Sequence, residues 1–459
     1  MGQCLSAEQA PPGQKAHTGA RSAQYIADDG GDRAVVEGLS EAYRVIKLLG
    51  SGAEGNTWLV QDVKTSIEWA VKLIRLPLPS RFVQAIFREI KLQSELGEGH
   101  HNIITPEEVI LTNHYLGLVM EYAPGGSLTH YITHKFKECR GVGLLVPEDE
   151  ARYLFKQIVA AVDYCHRHHV VHRDLKLDNT LLSGHNPPYI KLCDFGFARG
   201  WGEDSHFTTV IGTPDYMSPQ ITAAKAQGKA LYDGTKADVW AMGVLLCVVL
   251  IGKFPFEGDS VSTMGVNDPM KKVWVQQNKT TWSQNALLRD QLPYLSPEAT
   301  DLLDRMFELD EKKRIDIKGI MAHPWYNTPM RPHFEDALTK LGMEQEAVEK
   351  KVAAGAYRSK QRDQAISNLI KLSASEEFRQ KATEPITAET VFQIWTRVSL
   401  RTVQDSYPVF NKQSLRACMA AHRVSMTSTS QYGLHAGGGP GALNPHPRPM
   451  PVHENAVQA

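Results

Sequence analysis

The stretch LGSGAEGNTW, residues 49–58, spaces Gly50, Gly52 and Gly55 as G-x-G-x-x-G. Glycines in this spacing let backbone amides approach phosphate oxygens with no Cβ in the way. Dinucleotide folds use the same spacing, but they need a helix directly after the loop. Here NTWLVQDV follows, a strand-like run, which fits a β-hairpin lid over phosphates. Ala70-Val71-Lys72 then ends a third strand-like run, and FREIKL places Glu89 seventeen residues later as an anionic partner for Lys72. A lone lysine at a strand end is ordinarily a solvated charge; an anionic partner on the following helix would hold it on phosphate instead. Two further segments are dense in reactive side chains: VVHRDLKLDNTLL, with His172, Arg173, Asp174, Lys176 and Asn179, and KLCDFGFARG, with Asp194, Phe195 and Gly196.

Positioning these groups needs rigid elements. From Tyr43 the pattern gives short strands, YRVIKLL, NTWLVQDV and IEWAVKLI, then a helix over Phe82 to Leu96 and a strand ending in GLVMEYA. After Pro147 the reading is mostly helical to Trp325. Two amphipathic stretches follow, HFEDALTKLGMEQEAVEKKVAA and KQRDQAISNLIKL, so residues 334–405 read as a helical extension. Residues 1–38 and the Gly/Pro-rich 425–459 lack periodicity and read as disordered. The longest apolar run, VWAMGVLLCVVLIG from Val239 to Gly252, is too short to span a bilayer as a helix and reads as a core helix.

With the glycine loop, Lys72, HRDLKLDN and DFG in this order, the chain resembles a eukaryotic protein kinase from about Tyr43 to Tyr326. HRDLK and GTPDY, Gly212 to Tyr216, resemble the serine/threonine branch, in the tone of the calmodulin-dependent and AMP-activated group and its plant-type relatives. The resemblance implies an α+β bilobal fold with a strand-rich N-lobe and a helical C-lobe. It implies ATP and Mg2+ as cofactors and protein Ser/Thr hydroxyls as acceptors. By the same resemblance Asp174 orients the hydroxyl and takes its proton, Lys176 meets the γ-phosphate, and Lys72 with Glu89 holds the α- and β-phosphates. Asp194 and Asn179 hold the metal ions. Nucleotide contacts fall on Leu49, Gly50, Ser51, Gly52, Ala53, Gly55, Thr57, Ala70, Met120 and Leu181, with backbone groups of Glu121 and Ala123 for the adenine. Two other readings stand beside it. A pseudokinase scaffold normally lacks the lysine or one of the two aspartates, all present here; a small-molecule kinase lacks so long an activation segment.

The chain departs from the family pattern in places. Thr57 stands where a valine is usual. Ser218-Pro219-Gln220 replaces APE, so Arg314 faces a neutral partner instead of an ion pair. Ser127 and Val248 stand where arginine-directed relatives carry glutamates. Arg173 implies control by phosphate on the activation loop, from an upstream kinase or by autophosphorylation. Thr209, four residues before Thr213, is the first choice over Ser205 and Thr208. Thr213 is expected on the catalytic loop, and Asp238 is expected to anchor that loop. The CHRHHVVH cluster (His166, His168, His169, His172) suggests a metal site, but the kinase reading accounts for it as a helix end entering the catalytic loop. Residues 336–372 weakly resemble a ubiquitin-associated-like element turning at Leu341-Gly342-Met343; a generic helical extension fits equally well.

Composition bounds the partners. Lys plus Arg total 50 against 51 Asp plus Glu, for a net charge of −1, which disfavours nucleic acid. Six scattered cysteines without a CxxC pair argue against a zinc ribbon or disulfide framework and for a reducing compartment. MGQCLS has no apolar run behind it and so is not a secretory signal. Met-Gly-x-x-x-Ser fits N-myristoylation at Gly2, with Cys4 placed for palmitoylation. The expectation is a cytoplasmic kinase on the inner face of a membrane.

Overall fold

The computed structural model describes residues 42–52, 55–138, 143–201, 205–227, 231–256, 268–354, 360–376, 380 and 394–400. The acylation motif, Ala53 and the two terminal segments, 1–38 and 425–459, lie outside them.

The N-lobe opens with β1 (Tyr43–Gly52), β2 (Gly55–Asp62) and β3 (Glu68–Arg75), followed by helix α1 (Ser80–Gly99) and strands β4 (Pro106–Thr112) and β5 (Tyr115–Glu121). Alternation of β-branched and aromatic residues gives these strands one core-facing side. Tyr43, Trp58, Val60, Val71, Leu73, Ile110, Tyr115 and Val119 form that core.

The C-lobe begins with α2 (Leu128–Glu138) and α3 (Glu148–Arg167). Short strands β6 (Val170–Val171), β7 (Thr180–Leu182), β8 (Ile190–Leu192), β9 (Arg199–Gly200) and β10 (His206–Phe207) frame the reactive loops. Then come α4 (Pro219–Gln227), β11 (Tyr232–Asp233), α5 (Gly234–Ile251), α6 (Pro269–Lys279), α7 (Pro297–Met306), α8 (Ile317–Ala322) and α9 (Pro324–Asn327). α5 contains most of the long apolar run and is buried almost all round, so it has no polar face to show. It starts where the Asp233 carboxylate accepts from Thr235 N and stops at Gly252, whose φ of 79° is left-handed. α3 and α5 carry the main core of this lobe.

The chain then returns to the N-lobe through α10 (Pro332–Ala354), α11 (Lys360–Ser373) and β12 (Ile394–Ser399). Two expectations change here. The extension is not helical throughout: β12 pairs antiparallel with β4, making a six-stranded sheet of order β1-β2-β3-β5-β4-β12. IWTRVS is rich in strand formers, and the open β4 edge supplies a backbone ladder that a helix would leave unused. The expected turn at Leu341-Gly342-Met343 is also absent, because α10 runs through it unbroken. One helical glycine costs only about 1 kcal/mol, which burial of neighbouring Leu341 offsets.

Candidate active site

The glycine loop is the β1–β2 hairpin, registered Gly50 to Thr57, Ser51 to Asn56 and Gly52 to Gly55. Gly55 has φ of 147°, and a Cβ there would stand 2.1 Å from the Leu73 carbonyl. No other residue lets β2 start this close to β3. Antiparallel register sets Ala70 across from Met120, and Lys72 across from Leu118. Leu181, on β7, is drawn to the segment after β5 by its bridge to Ser127. Pairing thus draws Ala70, Met120 and Leu181 to the connection between the lobes, whereas Leu49 falls at a register shift of β1 and is exposed. Glu121 N–H is taken by the Thr105 carbonyl and the Ala123 carbonyl by Gly126 N–H, while the Ala123 N–H has no backbone partner among the described residues. The Glu121 side chain was not foreseen as a contact. Both its oxygens accept from Lys191 Nζ at 2.9 Å, and one also accepts from Thr105 N at 3.0 Å. That fixes the connection between the lobes.

Lys72 Nζ lies 2.7 Å from Glu89 Oε1, both largely buried, so α1 is seated against the sheet. Phe195 is buried against the His172 ring, centroids 4.8 Å apart, and the Asp194 backbone is left-handed at φ 62°. Strain of this kind is sustained only where surrounding contacts over-determine it. The catalytic loop is held from beneath by Asp238, at the core of α5. Its carboxylate accepts from His172 N at 3.0 Å, Arg173 N at 2.9 Å and His166 Nε2 at 2.8 Å. Burial pushes this carboxyl up, but the His166 bond, the two histidines and the Arg173 N–H outweigh that and hold it below its usual range.

Around Asp174 the groups converge tightly. Its oxygens accept from Lys176 Nζ at 2.7 Å, Thr213 Oγ1 at 3.0 Å and Asn179 Nδ2 at 3.0 Å. Lys176 Nζ also reaches Thr213 Oγ1 at 3.1 Å. The expectation for Thr213 and that for Asp238 both match this geometry. Cys193 N donates to the Asn179 carbonyl at 3.0 Å, and Thr180 pairs with Leu192. Asn179 and Asp194 therefore sit side by side at the end of the β7–β8 hairpin.

The donor set fits a hard divalent cation. Asp194 is exposed and, among the described residues, accepts only from Gly196 N, at 3.2 Å on one oxygen. Asn179 turns its NH2 to Asp174, which leaves its carbonyl oxygen outward. The four histidines do not form a competing metal site. His166 serves Asp238, His168 bonds the Tyr164 carbonyl, His169 packs on Trp201 and His172 bonds the Cys193 carbonyl. Among the described residues, no three His, Cys, Asp or Glu side chains are grouped to hold a metal.

Arg314 is fully buried and holds Gln220 Oε1 at 2.9 Å, the Lys236 carbonyl at 2.9 Å and the Glu308 carbonyl at 3.0 Å, with its guanidinium over the Trp240 ring. Burial lowers its pKa to about 10 despite nearby Glu311 and Glu308. The neutral partner read from the sequence is thus in place, and carbonyls complete the site. Gln220→Glu is expected to raise the thermal midpoint by about 2 °C, since a charge-assisted bond replaces a neutral one. A lower midpoint in calorimetry would mean that the lost Gln220 Nε2 bond to the Leu309 carbonyl matters more.

A glycine hairpin, a seated lysine–glutamate pair and a carboxylate held by Lys176, Thr213 and Asn179 form the arrangement of an ATP-dependent phosphotransferase of the two-lobed kind. The profile of the Protein kinase domain matches residues 43–326, and the chain belongs to the protein kinase family. Similar proteins include Serine/threonine-protein kinase SAPK2 of Oryza sativa subsp. indica, 38% identical over 286 residues, 62% of this chain and 76% of that protein. Serine/threonine-protein kinase SRK2C of Arabidopsis thaliana is 37% identical over 313 residues, covering 67% of this chain and 82% of that one. The protein is a serine/threonine protein kinase with an α+β kinase fold.

Proposed function

We propose that Asp174 takes the proton as a Ser or Thr oxygen of a protein substrate bonds to the γ-phosphorus of ATP. The bond from that phosphorus to the β,γ-bridging oxygen breaks and ADP leaves. The convergence of Thr213, Lys176 and Asn179 on one carboxylate carries this reading, because it fixes the base where a hydroxyl must arrive. Lys176 would turn from Asp174 to the γ-phosphate as charge moves, and Lys72, held by Glu89, would bind the α- and β-phosphates. Asp194 and Asn179 would hold Mg2+, which supplies charge neutralisation on the phosphate oxygens.

Activity is switched, in this reading, by phosphate on Thr209. Thr209 is exposed, and its carbonyl takes the Tyr232 hydroxyl at 3.0 Å. Tyr232 adjoins Arg173, whose Nε donates to the Phe197 carbonyl and whose Nη1 is buried without a hydrogen-bond partner among the described residues. Burial, with Arg199 as a like-charged neighbour, holds the Arg173 guanidinium below its usual range. A phosphate would relieve both costs. Acylation at Gly2 and Cys4 would bring the kinase to the cytoplasmic membrane face. Residues 1–38 carry three basic and five acidic side chains, so the second signal that stable anchoring requires falls to Cys4. One experiment reads both features. Intact and peptide mass spectrometry of protein from its own cells should find N-terminal acyl chains and phosphorylated Thr209, with Gly2→Ala removing the acyl mass and Thr209→Ala lowering activity about tenfold. A bare N-terminus, or full activity in Thr209→Ala, would overturn the corresponding half.

A further inference from the structure

Helix α6 begins at Asp268, whose carboxylate accepts from Met270 N and Lys271 N, and most of its side chains are exposed or half-exposed. Two positions one turn apart are buried, Val273 and Gln277. Burying a primary amide is costly unless both ends are met. At Gln277, 2% exposed, both are. Its Nε2 donates to the Met217 carbonyl at 2.8 Å and its Oε1 accepts from Thr222 Oγ1 at 2.7 Å. Both partners belong to the end of the activation segment: Met217 just before the Ser218-Pro219 entry to α4, Thr222 in the first turn of that helix.

The stretch between is short and tied at its other end to the catalytic carboxylate. Thr213 bonds Asp174, and the Tyr216 hydroxyl accepts from Leu177 N of the catalytic loop at 3.4 Å. Residues 213–217 therefore run from the base to Gln277, beside the place where an acceptor hydroxyl would have to reach Asp174.

We propose that Gln277 is a positioning residue for the protein substrate: through Met217 and Thr222 it sets the height of the 213–217 platform over Asp174 and so governs peptide capture, not nucleotide binding. The amide is required in this role. The Met217 carbonyl can only accept, so a donor must face it, while the Thr222 hydroxyl has the Pro219 carbonyl at 3.2 Å as a second acceptor. Losing the Nε2 bond is the larger injury. The inference rests on the kinase activity itself and not on Thr209 phosphorylation or acylation.

The test compares full-length wild type, Gln277→Glu, Gln277→Met and Thr222→Val. KM for a Ser/Thr peptide, KM for ATP, ATP hydrolysis without peptide and thermal midpoint are measured on each. Gln277→Glu, which sets a carboxylate against a carbonyl, should raise peptide KM about tenfold; Gln277→Met should raise it about fivefold and Thr222→Val about twofold. ATP KM and peptide-free hydrolysis should stay within twofold of wild type. A lowered midpoint with unchanged peptide KM would reduce Gln277 to a purely structural role and overturn the inference, as would a parallel rise in both KM values. Should Gln277→Glu fail to fold, Gln277→Met and Thr222→Val decide it. Absence of transfer by wild type would instead count against the catalytic assignment.

Discussion

Asp174→Asn should lower phosphate transfer to a protein substrate about a thousandfold while ATP affinity changes no more than a few-fold. The replacement keeps the shape of the side chain and can still accept from Thr213, but it cannot take up a proton at neutral pH. It also removes the negative charge that Lys176 Nζ meets at 2.7 Å. Nucleotide affinity is spared because Lys72, Glu89, the glycine hairpin and the Ala70–Met120 wall do not depend on Asp174. Steady-state transfer and equilibrium nucleotide binding, measured on the same preparations, separate the two effects. Transfer within tenfold of wild type would mean that the base lies elsewhere.

Ile370→Asp should weaken the enzyme from outside the cleft. Glu89 meets Lys72 only while α1 keeps its place, and α1 is braced by the returning chain. Gln345 caps its end, donating to the Gly99 carbonyl and accepting from His101 N, each at 2.9 Å. Asp363 reaches Lys91 at 3.1 Å, and Ile366, Leu369 and Ile370 of α11 are buried. A carboxylate at the buried position 370 would be taken out of water, which costs several kcal/mol or expels the helix. Either outcome loosens α1, so ATP KM should rise about tenfold and the thermal midpoint should fall by several degrees. A lower midpoint with ATP KM unchanged would show that α11 stabilises the fold without positioning Glu89.

The site was legible in sequence where its chemistry sits in contiguous motifs. The glycine hairpin, Lys72, Glu89, Asp174, Lys176, Asn179 and Asp194 were found because backbone geometry fixes their spacing within one or two elements. Asp238 and the Gln220–Arg314 pair were reachable only through the family pattern, since their partners lie 65 or more residues away. The Glu121–Lys191 lock and the Gln277 clamp left no local signature. Each is a polar side chain whose meaning comes from what another element brings to it. The extension was the least readable part. A helical period was correctly seen on both sides of Gly342, but whether the helix breaks there depends on burial of Leu341. The strand at Ile394–Ser399 forms because β4 has a free edge, and nothing within IWTRVS reports that edge.

The most direct test of the central claim supplies purified chain with ATP, Mg2+ and a library of Ser-, Thr- and Tyr-containing peptides, then maps the products by mass spectrometry beside Asp174→Asn. The account predicts phosphoserine and phosphothreonine from wild type, with ADP formed one for one, and almost none from the variant. Nucleotide binding without any phosphopeptide, or equal product from both proteins, would contradict it.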